Sequence, residues 1–144
     1  MNNDIHLRDM SVGQQRQTTH GPISTTQLVK YAGASGDFNR IHFDYPFARE
    51  AGLEGVLAHG MLTMGFAASC LAQAIGPDAL VTELSARFLA PVMAGDSVTV
   101  TVTLVDKENG ALRFDLQASV GRKTVLQGKA AAAPHGLERR DGRL

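Results

Sequence analysis

Two short segments of the chain hold the residue types that acid–base chemistry uses. The first is the loop Ser35–Asp44, in which Asp37 and His42 lie close together in sequence. A carboxylate and an imidazole held in a fixed relation can take a proton from a water molecule and deliver one to a substrate. The same residues also have an ordinary interpretation, because Asp and Asn close loops and a loop histidine often makes a single hydrogen bond. The spacing alone therefore indicates candidates and not a catalytic pair.

The second segment, Leu57–Leu62, contains His59 and Gly60. A glycine at the start of a helix either permits close packing or presents a bare N–H group at the positive end of the helix dipole. In the second case the N–H would stabilise negative charge on a substrate oxygen. We interpret His59 as a structural residue that supports the start of the helix.

Other kinds of chemistry have weaker signals in this sequence. There is no closely spaced pair of cysteines and no His-x-x-x-His, so the sequence predicts no metal site. Neither a Gly-x-Gly-x-x-Gly fingerprint nor a Walker loop is present, so no nucleotide cofactor is expected. The Gly-x-Ser-x-Gly elbow of the α/β-hydrolases is also missing. We therefore expect a reaction that uses no cofactor.

The elements that must position these segments begin with a helix after Ser24, which is a candidate N-cap. Gly33 and Gly36 are expected to end this helix just before the loop. Asp44 would cap a helical turn at Pro46–Ala51. Three apolar residues of the loop are expected to pin it against the core: Phe38, Ile41 and Phe43.

A long buried helix is predicted over Val56–Ile75. Its apolar residues recur at spacings of three and four from Leu57 onward, which is the periodicity of one helix face. The other faces carry small or weakly polar residues, which would let a sheet approach the helix backbone closely. Gly76 and Pro77 are expected to end it.

Strands are predicted for most of the rest of the chain, because apolar and polar residues alternate with a period of two. Asn109-Gly110 supplies a hairpin turn between two of them. The expected strands are Gln14–Thr19, Val81–Ala90, Val98–Leu104, Leu112–Val120 and Lys123–Ala133. An antiparallel sheet wrapped around one helix is the simplest α+β arrangement that covers the apolar helix.

The segments Tyr31–Asp44 and Ala58–Leu62 resemble the MaoC-like, (R)-specific enoyl-CoA hydratase family, and within it the catalytic subunit of bacterial (3R)-hydroxyacyl-ACP dehydratases. The resemblance implies a hot-dog fold over residues 1–133, followed by a disordered tail at 134–144. It also implies a homodimer, or a heterodimer with a related hot-dog subunit. The site residues that it implies are the catalytic pair Asp37 and His42, the Gly60 N–H for the thioester carbonyl, and the supporting residues Asn39 and His59.

The implied reaction is the interconversion of trans-2-enoyl and (3R)-3-hydroxyacyl thioesters of CoA or an acyl carrier protein. A hot-dog thioesterase is the first alternative, and the absence of Asp and Glu from Val56–Ile75 counts against it. A non-catalytic thioester-binding subunit and a simple scaffold are the others. Two positions depart from the family pattern: Arg40 replaces the usual proline, and Gly65 stands where some members have serine.

Charge and composition exclude several partners. Lys+Arg and Asp+Glu both number 14, so the formal net charge is zero, and neither nucleic acid nor an anionic membrane is an expected partner. The chain has one cysteine, Cys70, and its first ten residues contain no apolar signal core. These features favour a cytoplasmic location.

Overall fold

The computed structural model describes residues 9–135, which form three α-helices and five strands. The helices are α1 (Thr25–Ser35), α2 (Tyr45–Glu50) and α3 (Gly60–Ile75), with a 3-10 turn at Arg40–His42 between α1 and α2. The strands are β1 (Gln15–His20), β2 (Ala79–Phe88), β3 (Val98–Glu108), β4 (Ala111–Val120) and β5 (Lys123–Pro134). Residues 1–8 of the predicted domain and 136–144 of the predicted tail lie outside the described residues. None of the helices in the described range has the length and apolar character needed to cross a bilayer.

The five strands form one antiparallel sheet in the order β1-β3-β4-β5-β2. The predicted hairpin between β3 and β4 is confirmed. Asn109 and Gly110 both have positive φ, 50° and 79°, as a two-residue turn that matches the twist of its strands requires. The sheet with its helix is the predicted hot-dog arrangement.

One face of the sheet carries the core. Val98, Val100, Val102 and Leu104 of β3 are almost fully buried, while the threonines between them face outward. On the outer face, side chains of β1 and β3 bond across the strands, for example Gln15 to Thr103 and Gln17 to Thr101, each at 3.1 Å. The alternation predicted from the sequence is therefore the division between core and solvent.

Helix α3 packs on the buried face of the sheet through its small residues. Thr63, Ala67, Cys70 and Ala74 are all buried there, as expected if small side chains allow a close approach. The expectation that the helix is buried on every side is wrong for the single chain. Met61 is 57% exposed, because the sheet covers only one side of α3.

The predicted start of this helix at Val56 is also wrong, since α3 begins at Gly60. Residues 56–58 are extended: the Ala58 N–H donates to the Val92 carbonyl at 2.7 Å, and Leu57 forms an isolated antiparallel bridge with Met93. A distant segment thus supplies the hydrogen bonds that a helix would otherwise make locally.

Strands β2 and β5 approach each other closely at Gly128. A Cβ atom at this position would overlap the carbonyl oxygen of Ser85, so the approach requires glycine. The pairing continues to the end of β2, where Phe88 lies opposite Leu126. The end of β2 lies near the start of α3, because the Phe88 ring is close to Gly60.

Candidate active site

Helix α1 delivers the chain to the loop that holds Asp37. Ser24 caps its start as predicted, because its hydroxyl accepts the Gln27 N–H at 3.0 Å. The helix continues through Gly33 and ends at Gly36, whose φ of 75° lies in the left-handed region that glycine adopts easily. Asp37 is therefore the first residue after the helix cap, and its position follows from the helix end.

The loop then turns through two side-chain hydrogen bonds. Asp37 Oδ1 accepts the Asn39 N–H at 3.1 Å, and Asn39 Oδ1 accepts the Ile41 N–H at 3.2 Å. Turns of this kind are a common use of Asp and Asn. Asn39 thereby caps the 3-10 turn that carries His42, and one Asp37 oxygen, Oδ2, is left to face the imidazole.

The ring of His42 is 7% exposed and has a fixed orientation. Its Nδ1 lies 2.9 Å from the Leu57 carbonyl oxygen. A carbonyl can only accept, so Nδ1 carries the hydrogen and the neutral ring has its lone pair on Nε2. This Nε2 lies 3.7 Å from Asp37 Oδ2, too far for a direct hydrogen bond. A water molecule beside the line between the two atoms could hydrogen-bond to both.

His59 lies directly behind His42. The two rings stack with their centroids 3.7 Å apart and their planes at 21°, and Tyr31 contacts His59 edge-on at 4.7 Å. Nε2 of His59 donates to the Asp37 carbonyl oxygen at 3.2 Å, while Nδ1 of His59 is buried without a hydrogen-bond partner within residues 9–135. Burial lowers the pKa of His59 below its usual range, so this ring is neutral at pH 7.

The role expected for His59, support of the helix start, takes an unexpected form. His59 occupies the N-cap position of α3, but no side chain caps this end. Its ring reaches back to the loop instead. The Leu62 N–H donates to the His59 carbonyl at 3.0 Å, whereas the N–H groups of Gly60 and Met61 have no carbonyl partner within the helix.

Of the candidate residues, His42 and Gly60 line a cleft of about 370 Å³, whereas Asp37, Asn39 and His59 are not among its lining residues. Thr63 and Phe88 also line it, and Asp37 adjoins it through His42. A larger hollow of about 810 Å³ lies on the outer face of the sheet and contains none of the candidate residues. Sequence reasoning missed Phe88 and the Leu57 carbonyl, because only the tertiary fold brings either of them to the site.

Asp37, His42 and His59 are close enough together to be considered as metal ligands, since one potential ligand atom from each lies within 4.8 Å of the others. Imidazole lone pairs lie in the plane of the ring, and the two rings are stacked nearly parallel. Such lone pairs do not converge on one ion. The stacked arrangement of the two rings therefore does not fit a shared metal ion.

The apolar residues expected to pin the loop do not do so. Phe38 is 63% exposed and Phe43 is 40% exposed, while Ile41 is only partly buried. Backbone contacts hold the loop instead: the Leu57 N–H donates to the Ile41 carbonyl at 3.0 Å, beside the bond from His42 to Leu57. The sequence prediction failed here because hydrophobicity was equated with burial.

Arg40, which replaces the usual proline, is paired and not simply solvated. Its Nε and Nη2 donate to Asp44 Oδ2 at 3.0 and 2.7 Å, and its guanidinium lies 4.5 Å from the centre of the Phe47 ring. Asp44 also caps α2 as predicted, because Oδ1 accepts the Phe47 N–H at 3.1 Å. This ion pair links the turn that carries His42 to the next helix.

The Arg40–Asp44 pair predicts a pH dependence of stability. Hydrogen bonds from Arg40 and from the Phe47 N–H hold the pKa of Asp44 below its ordinary value of 3.8. A carboxyl group whose pKa is lower in the folded than in the unfolded state stabilises the fold fully above its unfolded pKa, here 3.8. This stabilisation is lost as the pH falls through the pKa of the folded state. Asp44→Asn keeps a capping oxygen but loses the charge. Near neutral pH we expect the Asp44→Asn variant to unfold at a lower temperature than the wild type. This difference in unfolding temperature should shrink below about pH 3.8. A difference independent of pH would contradict this.

The chain is similar to known proteins over most of its length. Residues 9–125 match the family model described as MaoC like domain. The chain is 33% identical over 128 residues to the (R)-specific enoyl-CoA hydratase of Rhodospirillum rubrum, covering 87% of this chain and 88% of that protein. It is 32% identical over 129 residues to the 3-hydroxybutyryl-CoA dehydratase of Methylorubrum extorquens, covering 88% and 82%. The solved (R)-hydratase from A. caviae involved in PHA biosynthesis superposes with a TM-score of 0.83 at 25% identity, covering 89% of this chain and 99% of that one.

Proposed function

Because this chain belongs to the MaoC-like domain family, we propose that Asp37 and His42 are the residues with which it moves a proton to and from water. The chain is a hydro-lyase that interconverts trans-2-enoyl and (3R)-3-hydroxyacyl thioesters, in agreement with its hydratase and dehydratase relatives. The observation that carries the proposal is the approach of His42 Nε2 to Asp37 Oδ2, at 3.7 Å, beside a cleft that also contains Gly60.

Hydration requires a water molecule that loses a proton as its oxygen attacks C3. The ionised Asp37 and the unprotonated Nε2 of His42 are both acceptors, so one water can donate a hydrogen to each. One member of the pair takes the proton as the C3–O bond forms, and a proton from the pair then reaches C2. The water is thus divided into a hydroxyl on C3 and a hydrogen on C2, and dehydration is the reverse of these steps.

The Gly60 N–H is proposed to bind the thioester oxygen, on which negative charge develops while C2 awaits its proton. Two features support this role: α3 begins at Gly60, and no side chain caps the helix end. The helix dipole favours negative charge at this position. Loss of one such donor in another enzyme costs ~2.7–4 kcal/mol of transition-state stabilisation.

Gly60→Ala tests whether glycine is needed at this position because the Phe88 ring leaves no room for a side chain. The new Cβ would lie 3.2 Å from the Phe88 ring, and the resulting displacement is expected to lower kcat/KM for crotonyl-CoA by about ten- to a hundredfold. Gly60→Ala combined with Phe88→Leu keeps the N–H and relieves the contact, so most of the activity should return. Steady-state kinetics of both variants test this. If the double variant stays as slow as Gly60→Ala, crowding by Phe88 is not the reason that glycine is needed.

Product analysis tests the proposed reaction itself. Crotonyl-CoA is the probe, because both sequence relatives described above carry CoA in their names. We expect chiral chromatography to find (R)-3-hydroxybutyryl-CoA and a thiol reagent to find no free CoA. Free CoA without a hydroxyacyl product would favour the thioesterase alternative. Against that alternative, α3 contains no Asp or Glu to activate water at the carbonyl carbon.

We also propose that the active protein is a dimer joined along β2. Within the described chain β2 is an edge strand of the sheet, and an edge strand presents unpaired backbone groups that a second chain can use. Leu80, Val81, Phe88 and Leu89, on or next to β2, are exposed. The partner is a second copy or a related hot-dog subunit. A mass of twice 15.3 kDa in sedimentation equilibrium of the purified chain would support a homodimer. The cytoplasmic location remains a prediction.

A further inference from the structure

The Phe88 ring lies over the first residue of α3. A Cβ placed on Gly60 would be 3.2, 3.3 and 3.5 Å from three carbon atoms of this ring. The Cα–Cβ direction in a helix is tilted toward the helix N-terminus, which is also the direction in which the free N–H groups point. The edge of the ring therefore lies beside the open end of α3, next to the position of an oxygen bound to the Gly60 N–H.

The backbone that carries Phe88 is held on both sides. Phe88 pairs with Leu126 in the β2–β5 ladder, and the next N–H, of Leu89, donates to the Val125 carbonyl at 2.8 Å. Further along, the Val92 carbonyl accepts the Ala58 N–H at 2.7 Å. These bonds tie residues 88–92 to the extended segment that leads into α3. The sheet thus fixes the backbone that carries the ring relative to the segment leading into α3, while Phe88 itself is 51% exposed.

The next step rests on the proposed function. If the thioester oxygen accepts the Gly60 N–H, the carbonyl carbon and the two atoms bonded to it, C2 and the sulfur, are the substrate atoms nearest to that helix end, and the proposed proton transfer to C2 requires C2 to be the one on the His42 side. Phe88 and His42 line the same cleft, so C2 must lie within the space bounded by the ring and the imidazole. A linear enoyl thioester has only a hydrogen on C2. A methyl group on C2 would need room where the ring edge lies.

We propose that Phe88 is a specificity-determining residue that restricts this enzyme to enoyl thioesters unbranched at C2. Discrimination of one carbon unit in an apolar pocket is typically worth about 10–200-fold in kcat/KM. A ring whose backbone is held by sheet hydrogen bonds can supply such discrimination, because making room for the methyl group requires the ring to move. Removing the ring supplies the room directly.

The test compares crotonyl-CoA with tiglyl-CoA, its 2-methyl-branched counterpart, by initial rates of 3-hydroxyacyl-CoA formation. For the wild type we expect kcat/KM to favour crotonyl-CoA strongly. Phe88→Ala should lower this preference at least tenfold, and Phe88→Leu, which keeps an apolar side chain for folding, should lower it less. Val105→Ala is the matched control: it removes an exposed apolar side chain from β3, away from the cleft and from β2, and should leave the preference unchanged.

Three results would overturn the inference. One is a wild type that turns over both substrates equally well. Another is a preference that stays the same in Phe88→Ala and Phe88→Leu while crotonyl-CoA turnover persists, and the third is an equal loss of preference in Val105→Ala. In each of these cases the hydratase assignment stands. Absence of crotonyl-CoA hydration in the wild type would instead contradict the proposed function, and the inference would fail with it.

Discussion

Asp37→Asn is expected to lower kcat for crotonyl-CoA at least a hundredfold and to leave the unfolding temperature almost unchanged. The asparagine oxygen can still accept the Asn39 N–H that Asp37 Oδ1 accepts now, at 3.1 Å, so the turn is preserved. The amide cannot accept a proton, and acid–base assistance of this kind is typically worth about 10²–10⁴-fold. Initial rates and thermal unfolding of the same preparation measure both effects.

Asp115→Asn is the matched control for this variant. Asp115 is exposed on β4 and borders the hollow on the outer face of the sheet, away from the cleft. Its substitution also removes one carboxylate and should leave turnover at the wild-type level. If folded Asp37→Asn retained turnover within tenfold of the wild type, Asp37 would not belong to the acid–base pair proposed here.

Removal of the His42 imidazole is also expected to lower turnover at least a hundredfold, because the Nε2 lone pair that faces the water is lost. His42→Ala also leaves the Leu57 carbonyl without its donor and a gap against His59, so it is expected to lower stability. His42→Asn is the better probe. Its amide can still donate to the Leu57 carbonyl that His42 Nδ1 contacts at 2.9 Å, but it offers nothing at the position of Nε2.

We therefore expect both His42 variants to be at least a hundredfold slower than the wild type, and only His42→Ala to unfold at a clearly lower temperature. His20→Asn is the control. His20 also stacks on an aromatic ring, that of Phe66 at 4.3 Å, and contacts the Thr18 hydroxyl, but it does not line the cleft. Near-normal turnover in His42→Asn together with a normal fold would remove His42 from the mechanism.

The local part of the site could be predicted from the sequence. Asp37, Asn39 and His42 lie within one short loop, and the side chains of Asp37 and Asn39 form the turns that bring the carboxylate toward the imidazole. The helix caps at Ser24 and Asp44 and the Asn109-Gly110 turn are local in the same way. Each depends on hydrogen bonds or backbone angles within a few residues, and these are the features that residue type determines.

The remaining features depend on contacts between residues far apart in the chain. Leu57 fits the helical spacing of the apolar residues that follow it, yet it is extended because Met93 pairs with it. His59 was expected to support the helix start, but its ring contacts the loop 22 residues earlier. Phe88 contacts the Gly60 position from a strand 28 residues further along the chain, where it pairs with Leu126 of β5. None of these pairings has a signal in local sequence.

Predictions of burial from hydrophobicity alone were also wrong at three positions. Phe38 and Phe43 were expected to anchor the loop, and Met61 was expected to lie inside a helix buried on every side. All three are exposed in the single chain. A partner along β2 would add cover that the sequence of one chain cannot specify.

The most direct test of the account is the double variant Asp37→Asn with His42→Asn, measured beside both single variants by the loss of enoyl-thioester absorbance of crotonyl-CoA. If the two side chains hold one water and act as a unit, removing the second after the first costs little more. The account predicts a double variant within a few-fold of the slower single variant. A double variant slowed by the product of the two single effects would mean that the residues act independently, which would contradict the shared water on which the mechanism depends.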